Sequence, residues 1–176
     1  MIRLLIVDDE DETREGLRDF IPWRDLGVDT VYVASDGREA LSLAVDIKPD
    51  IVITDIRMYG MDGITFALEL RNLMPTCKII FISGYSDKEN LKSAIQLKAV
   101  SFIEKPINID EIKQAVCDAV NMHIEEERIK ALKENSDMIM RQTSYLIKQE
   151  IALDLIDSHV NPESVLKKLS ITNIDF

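Results

Sequence analysis

Five short runs of apolar, largely β-branched residues punctuate the first two thirds of the chain, at 3–7, 30–34, 51–54, 78–82 and 100–103. Each has the length of a strand, and their nearly continuous hydrophobicity fits strands covered on both faces, as in a buried parallel sheet. Segments of helical periodicity fall between them, over about 12–21, 36–47, 64–73 and 87–98, and a fifth opens at Ile109. In the first helix Leu17, Phe20 and Ile21 form the expected inward face, and Pro22 stops it. Asp36 with Glu39 three positions on has the form of a capping pair, and Pro49-Asp50 closes that unit. Strands alternating with helices predict a doubly wound α/β sandwich, because parallel strands need right-handed helical crossovers.

The polar residues that end these runs carry the chemistry. Asp8-Asp9 follow the first strand, Asp55 the third, Ser83-Gly84 the fourth and Lys105-Pro106 the fifth, with Asp62-Gly63 shortly after Asp55. In an open parallel sheet the strand carboxyl ends share one edge, where ligand crevices open, so Asp8, Asp9, Asp55, Ser83 and Lys105 are expected to converge. Three carboxylates in one crevice repel each other unless a cation sits among them or one is protonated. A hard, oxygen-seeking ion is the natural occupant, Mg²⁺ first and Mn²⁺ as a substitute. Asp55 is the candidate nucleophile, a carboxylate able to form an acyl phosphate. A strand-end Asp can instead cap a turn, and acids at a helix start suit its dipole; that plainer reading is kept for Asp11 and Glu12.

Composition narrows the class. At 176 residues and 46% apolar content the chain has room for one ordinary domain and an appendage. Its apolar runs are far shorter than a membrane span, and Met1-Ile2 runs straight into a strand without a cationic lead, so the cytosol is the expected compartment and no membrane a partner. Cys77 and Cys117 are isolated and read as core or boundary residues. A formal charge of −11 argues against nonspecific nucleic-acid or anionic-membrane binding by this polypeptide, since phosphate contacts need clustered Lys and Arg.

The ordered set Leu5-Ile6-Val7-Asp8-Asp9-Glu10, Ile53-Thr54-Asp55-Ile56-Arg57-Met58, Met61-Asp62-Gly63, Ile82-Ser83-Gly84-Tyr85 and Glu104-Lys105-Pro106 resembles the receiver domain of bacterial two-component response regulators. The resemblance covers residues 1–120 and implies a flavodoxin-like sheet of five parallel strands in the order 2-1-3-4-5. It implies a phosphoryl group accepted on Asp55 from a sensor histidine kinase, and no enzymology beyond self-phosphorylation and autodephosphorylation. It also implies Asp9 as a direct metal ligand, Asp8 acting through metal-bound water, and the Arg57 main-chain carbonyl as a further oxygen. Lys105, before a cis Lys105-Pro106 bond, is the implied phosphoryl contact, with Ser83 and Phe102 as the switch residues beside it. Ile21-Pro22-Trp23 and Ser83-Gly84-Tyr85 further resemble the YesN-like subfamily, whose receivers precede an AraC-type DNA-binding output domain. Two positions depart from the family: Tyr59 stands where Pro is common, leaving that loop less rigid, and Lys98-Ala99 near a common Gly.

Beyond residue 120 the fifth helix is expected to continue, since no Gly or Pro intervenes before Pro162. Leu132, Ile139, Leu146, Leu153 and Val160 recur every seven residues, half of a coiled-coil seam; the other half is polar, which leaves a two-stranded coil and a helix packed on its own chain both open. Ile151 to Ile156 is apolar nearly all round, which suits a buried helix better than a solvated connector, Asn161-Pro162 has the form of a helix start, and the last six residues alternate like a strand. Residues 121–176 thus read as a mostly helical linker and the start of a truncated second module, with homodimerisation on phosphorylation and DNA reached only through the missing part. A phosphorelay intermediate or stand-alone receiver is the alternative. A small-molecule phosphatase with an Asp nucleophile fits less well, because Arg57 occupies the place of its usual second carboxylate. Neither His123 nor His159 lies in a phosphoacceptor motif; both read as surface histidines.

Overall fold

A computed structural model describes residues 1–84, 92 and 94–156. Strands β1 (Arg3–Val7), β2 (Thr30–Ala34), β3 (Ile51–Asp55), β4 (Lys78–Ser83) and β5 (Ser101–Glu104) form one parallel sheet in the order β2-β1-β3-β4-β5. This is the flavodoxin-like order expected from the sequence. Helices α1 (Asp11–Phe20), α2 (Gly37–Ile47) and α3 (Gly63–Leu73) follow the first three strands, and α4 (Ile109–Ile156) follows β5. Lys92 and residues 94–96, also helical, fall inside the helix expected over 87–98; the rest of that helix to residue 91, and residue 93, lie outside the described residues.

Successive strand side chains point to opposite faces, and both faces are covered. Leu4, Ile6, Ile51, Ile53, Ile80 and Ile82 join Leu17 of α1 and Ile112, Val116 and Ala119 of α4 in one apolar layer. Leu5, Val7, Val52, Ile79 and Phe81 face the other way, against Ala40 and Ala44 of α2 and Phe66 and Leu70 of α3. Double coverage is why the central strands carry no alternating polar positions.

One expected core residue is not in the core. Phe20 is 79% exposed, while Leu17 and Ile21 are buried as expected. The helix ends at Phe20 because Ile21 is extended, and a short 3₁₀ turn, Trp23–Leu26, folds back under it. Trp23 is buried there and its indole N–H donates to the last-turn carbonyls of Leu17 and Arg18 (3.1 and 3.0 Å), taking the inward place given to Phe20. At the start of α2 Asp36 caps the Arg38 and Glu39 amides as the sequence implies, but the Glu39 carboxylate reaches back to Ser35 rather than to Asp36.

At the turn before β5 the Lys98 and Ala99 amides donate to Ile95 and Ala94, and Lys98 sits at φ 53. This is the bonding of a helix C-cap whose left-handed position is normally glycine. Lys98→Gly is therefore expected to stabilise the protein by about 1 kcal/mol, raising Tm by roughly 2–4 °C in a thermal melt.

The chain divides into two units between Glu125 and Glu126. In the second, residues 126–156 are helical, and Leu132, Ile139, Leu146 and Leu153 are each more than half exposed. Exposed Leu153 does not fit the buried segment expected there; the side chains of Ile151 and residues 154–156 lie outside the described residues, as do Val160, His159, Asn161-Pro162 and the strand-like end. Among the described residues no helix is long and apolar enough to cross a membrane.

Candidate functional site

The parallel register places the ends of β1, β3, β4 and β5 along one edge. Asp8, Asp9 and Asp55 come together there, each offering a carboxylate oxygen within 4.8 Å of the others. Asp8 and Asp55 are almost fully buried, whereas Asp9 is exposed. The Lys105 ammonium lies 2.7 Å from Asp55 Oδ2, 3.4 Å from Asp8 Oδ2 and 3.6 Å from Glu10 Oε2. The Lys105-Pro106 bond is cis.

Backbone amides orient each carboxylate. Asp8 Oδ1 accepts from Glu10 N–H (2.8 Å), Asp55 Oδ1 from Arg57 N–H (3.3 Å) and Asp9 Oδ2 from Tyr59 N–H (3.0 Å). The Arg14 guanidinium donates to the Asp8 carbonyl at 2.7 Å, fixing the backbone beneath the cluster. Burial raises the Asp8 carboxyl above its usual range, and the Asp55 charge adds to this against the Glu10 amide and Lys105. Burial is also the largest single influence on Lys105 and lowers it; the hydrogen bond and charge of Asp55, with Asp8 and Glu10, together outweigh it and hold the ammonium charged beyond its ordinary range. Three carboxylates gathered beside one lysine offer a hard, all-oxygen donor set, which fits a small divalent cation such as Mg²⁺.

The remaining expected residues differ in placement. Ser83, fully buried, is at the end of β4 beside the acidic edge, and its carbonyl accepts the Lys105 amide at 2.7 Å. Arg57 lies two residues after Asp55, in the loop that follows β3. Phe102 lies farther back along β5, in register with Phe81 and half-buried against the α2–α3 side of the core. Asp62 acts as N-cap of α3, accepting from Thr65 N–H (2.7 Å). Three contributors were not singled out from the sequence: the Glu10 carboxylate, the Arg14 guanidinium and the Tyr59 amide. Glu10 and Arg14 carry a sequence signal in their nearness to Asp8; the Tyr59 amide carries only that the residue is not proline. The Cys77 thiol, pushed up to about 12 by burial, is inert core as expected.

Residues 4–117 match the family model described as the response regulator receiver domain. The chain belongs to this family. Among its relatives, an uncharacterised response regulatory protein of Staphylococcus epidermidis is 40% identical over 64% of this chain and 44% of its own length. The transcriptional regulatory protein HptR of Staphylococcus aureus is 36% identical over 72% of this chain and 50% of its own. The chain thus spans about half the length of the curated relatives it matches. A solved two component transcriptional regulator AraC of Clostridium phytofermentans superposes with a TM-score of 0.68 at 42% identity, covering 72% of this chain and 98% of that one. The receiver domain of AraT, a response regulator of Geobacillus stearothermophilus, gives 0.64 at 32% identity, covering 73% and 98%. The receiver is accordingly that of a two-component response regulator, and the likeness to the AraC regulator accords with the subfamily resemblance seen in the sequence.

Proposed function

We propose that this receiver takes a phosphoryl group from a sensor histidine kinase onto Asp55 and passes the resulting change of state to a DNA-binding, AraC-type output. One observation carries the reading: Asp8, Asp9 and Asp55 converge within 4.8 Å, and Lys105 reaches Asp55 at 2.7 Å. An Asp55 carboxylate oxygen attacks phosphorus, the phosphorus–nitrogen bond breaks, and the electron pair leaves on the kinase imidazole. Asp8, Asp9, Asp55 and the Arg57 carbonyl would hold Mg²⁺, which when bound supplies positive charge against the repulsion between carboxylate and phosphoryl group. Lys105 gives a second positive charge to the phosphoryl oxygens. The Ser83 hydroxyl bonds the group once it is present, and Phe102 reports the change along β5. A phosphoryl group favours the active state only through contacts that differ between states, here those to Ser83 and Lys105.

Residues 1–120 serve as the phosphoacceptor module and 121–176 as the linker and start of the next. The relatives' length supports an output besides the matched region, since the match covers only about half of it. The heptad-spaced, exposed Leu132, Ile139, Leu146 and Leu153 suit a helix that pairs with a second copy when the receiver is phosphorylated. The protein works in the cytosol and catalyses only its own phosphorylation and dephosphorylation. Incubation with a small acyl or amido phosphate tests the reading: we expect one hydroxylamine-labile phosphoryl group per chain, with Mg²⁺ required. Equal labelling after chelation contradicts it.

A further inference from the structure

We infer that the main-chain N–H of Tyr59 is a positioning group for the metal site. It donates to Asp9 Oδ2 at 3.0 Å, across 50 residues of sequence. Asp9 is the exposed member of the acidic cluster, whereas Asp8 and Asp55 are buried and in contact with Lys105. An exposed carboxylate beside two others has reason to swing into water, and the N–H opposes this with a charge-assisted hydrogen bond. A carboxylate carries lone pairs on two oxygens, so one Oδ held by the amide leaves the other for a cation.

The bond also joins the two segments that carry the donors. Asp8 and Asp9 follow β1; Asp55 and Arg57 belong to β3 and the loop after it, which also carries Tyr59. Tying Asp9 to that loop sets the spacing of the donor oxygens before any cation arrives. The tyrosine side chain has no part in this: it is 90% exposed. The feature is the presence of an N–H at a position where, by the family resemblance, proline is common, and proline has none. The loop is in this respect tied where the sequence alone implied slack.

The inference rests on the metal-site reading above, and two substitutions separate it from that reading. Tyr59→Ala keeps the N–H and Tyr59→Pro removes it. Gly60, next in the chain, has φ 84, as at the third position of a type II turn, whose second position accepts proline, so the Pro variant is expected to fold. By calorimetry Tyr59→Pro should bind Mg²⁺ roughly threefold to tenfold more weakly than Tyr59→Ala, the effect of ordering one side chain beforehand. In the metal-free wild-type protein the Tyr59 amide proton should resonate downfield and move upfield in Asp9→Ala, a readout that does not depend on the Pro variant. Equal Mg²⁺ affinities of the two variants, or a Tyr59 amide indifferent to Asp9→Ala, overturn the inference while wild-type binding stands. Wild-type protein that binds no Mg²⁺ overturns the metal site and this role together.

Discussion

Lys105→Met is expected to lower stability by about 2–4 kcal/mol at neutral pH in the absence of divalent cation, and Mg²⁺ is expected to restore a large part of it. The ammonium lies 2.7 Å from Asp55 and 3.4 Å from Asp8, so its removal leaves two buried carboxylates without that charge. The figure lies below that for a wholly buried pair because 22% of the Lys105 side chain is exposed. The pH dependence has a definite sign. The folded Asp8 carboxyl is raised by burial, so its contribution to stability is full below the ordinary carboxylate range and is lost as pH rises through its raised folded value. The variant's deficit should therefore shrink in acid, where Asp8 takes up a proton. Denaturant unfolding at neutral and acid pH, with and without Mg²⁺, checks both; a deficit independent of pH and of Mg²⁺ would locate it in packing of the lysine stem.

Gly63→Ala should damage both fold and chemistry. A Cβ at Gly63 would stand 1.9 Å from the Asp55 carbonyl oxygen and 2.9 Å from Thr54 Oγ1, with backbone on the near side, so no rotamer relieves it. The same glycine donates its N–H to the Ile56 carbonyl at 3.0 Å, pinning the start of α3 to the residue after Asp55. Either α3 or the end of β3 must move. The expected cost is about 1–3 kcal/mol in stability, and a displacement of Asp55 approaching 1 Å slows phosphoryl transfer by about a hundredfold. Denaturant midpoints and initial labelling rates with a small donor measure the two effects; a variant that labels at the wild-type rate would show that Asp55 is not held by this contact.

Much of this was legible in the chain because buried parallel strands leave a strong trace. Leu4 to Val7 and Ile51 to Ile53 are apolar on both faces, and the acids just beyond each run, Asp8-Asp9 and Asp55, are the ones delivered to the shared edge. Asp8, Asp9, Asp55 and Lys105 could be assembled from that rule without coordinates. Contacts made by backbone left no such trace: the Tyr59 amide that holds Asp9 is available on any residue but proline, so its role depends on loop geometry. Phe20 was misplaced for a related reason. Periodicity assigned it inward, yet Trp23, beyond the helix end, offers a larger apolar body and an N–H for the last-turn carbonyls. Gly63 read as part of a motif, but the 1.9 Å clearance that makes it obligatory appears only in three dimensions.

Mapping the phosphoryl group itself tests Asp55 as the phosphoacceptor. Wild-type protein and Asp55→Asn would be incubated with Mg²⁺ and a small acyl phosphate, reduced at the acyl phosphate to trap its position, and analysed by peptide mass spectrometry. A single modified residue, Asp55, is expected in wild type, and no acyl phosphate in Asp55→Asn. Undiminished labelling of Asp55→Asn, or a wild-type label on any other residue, would contradict it.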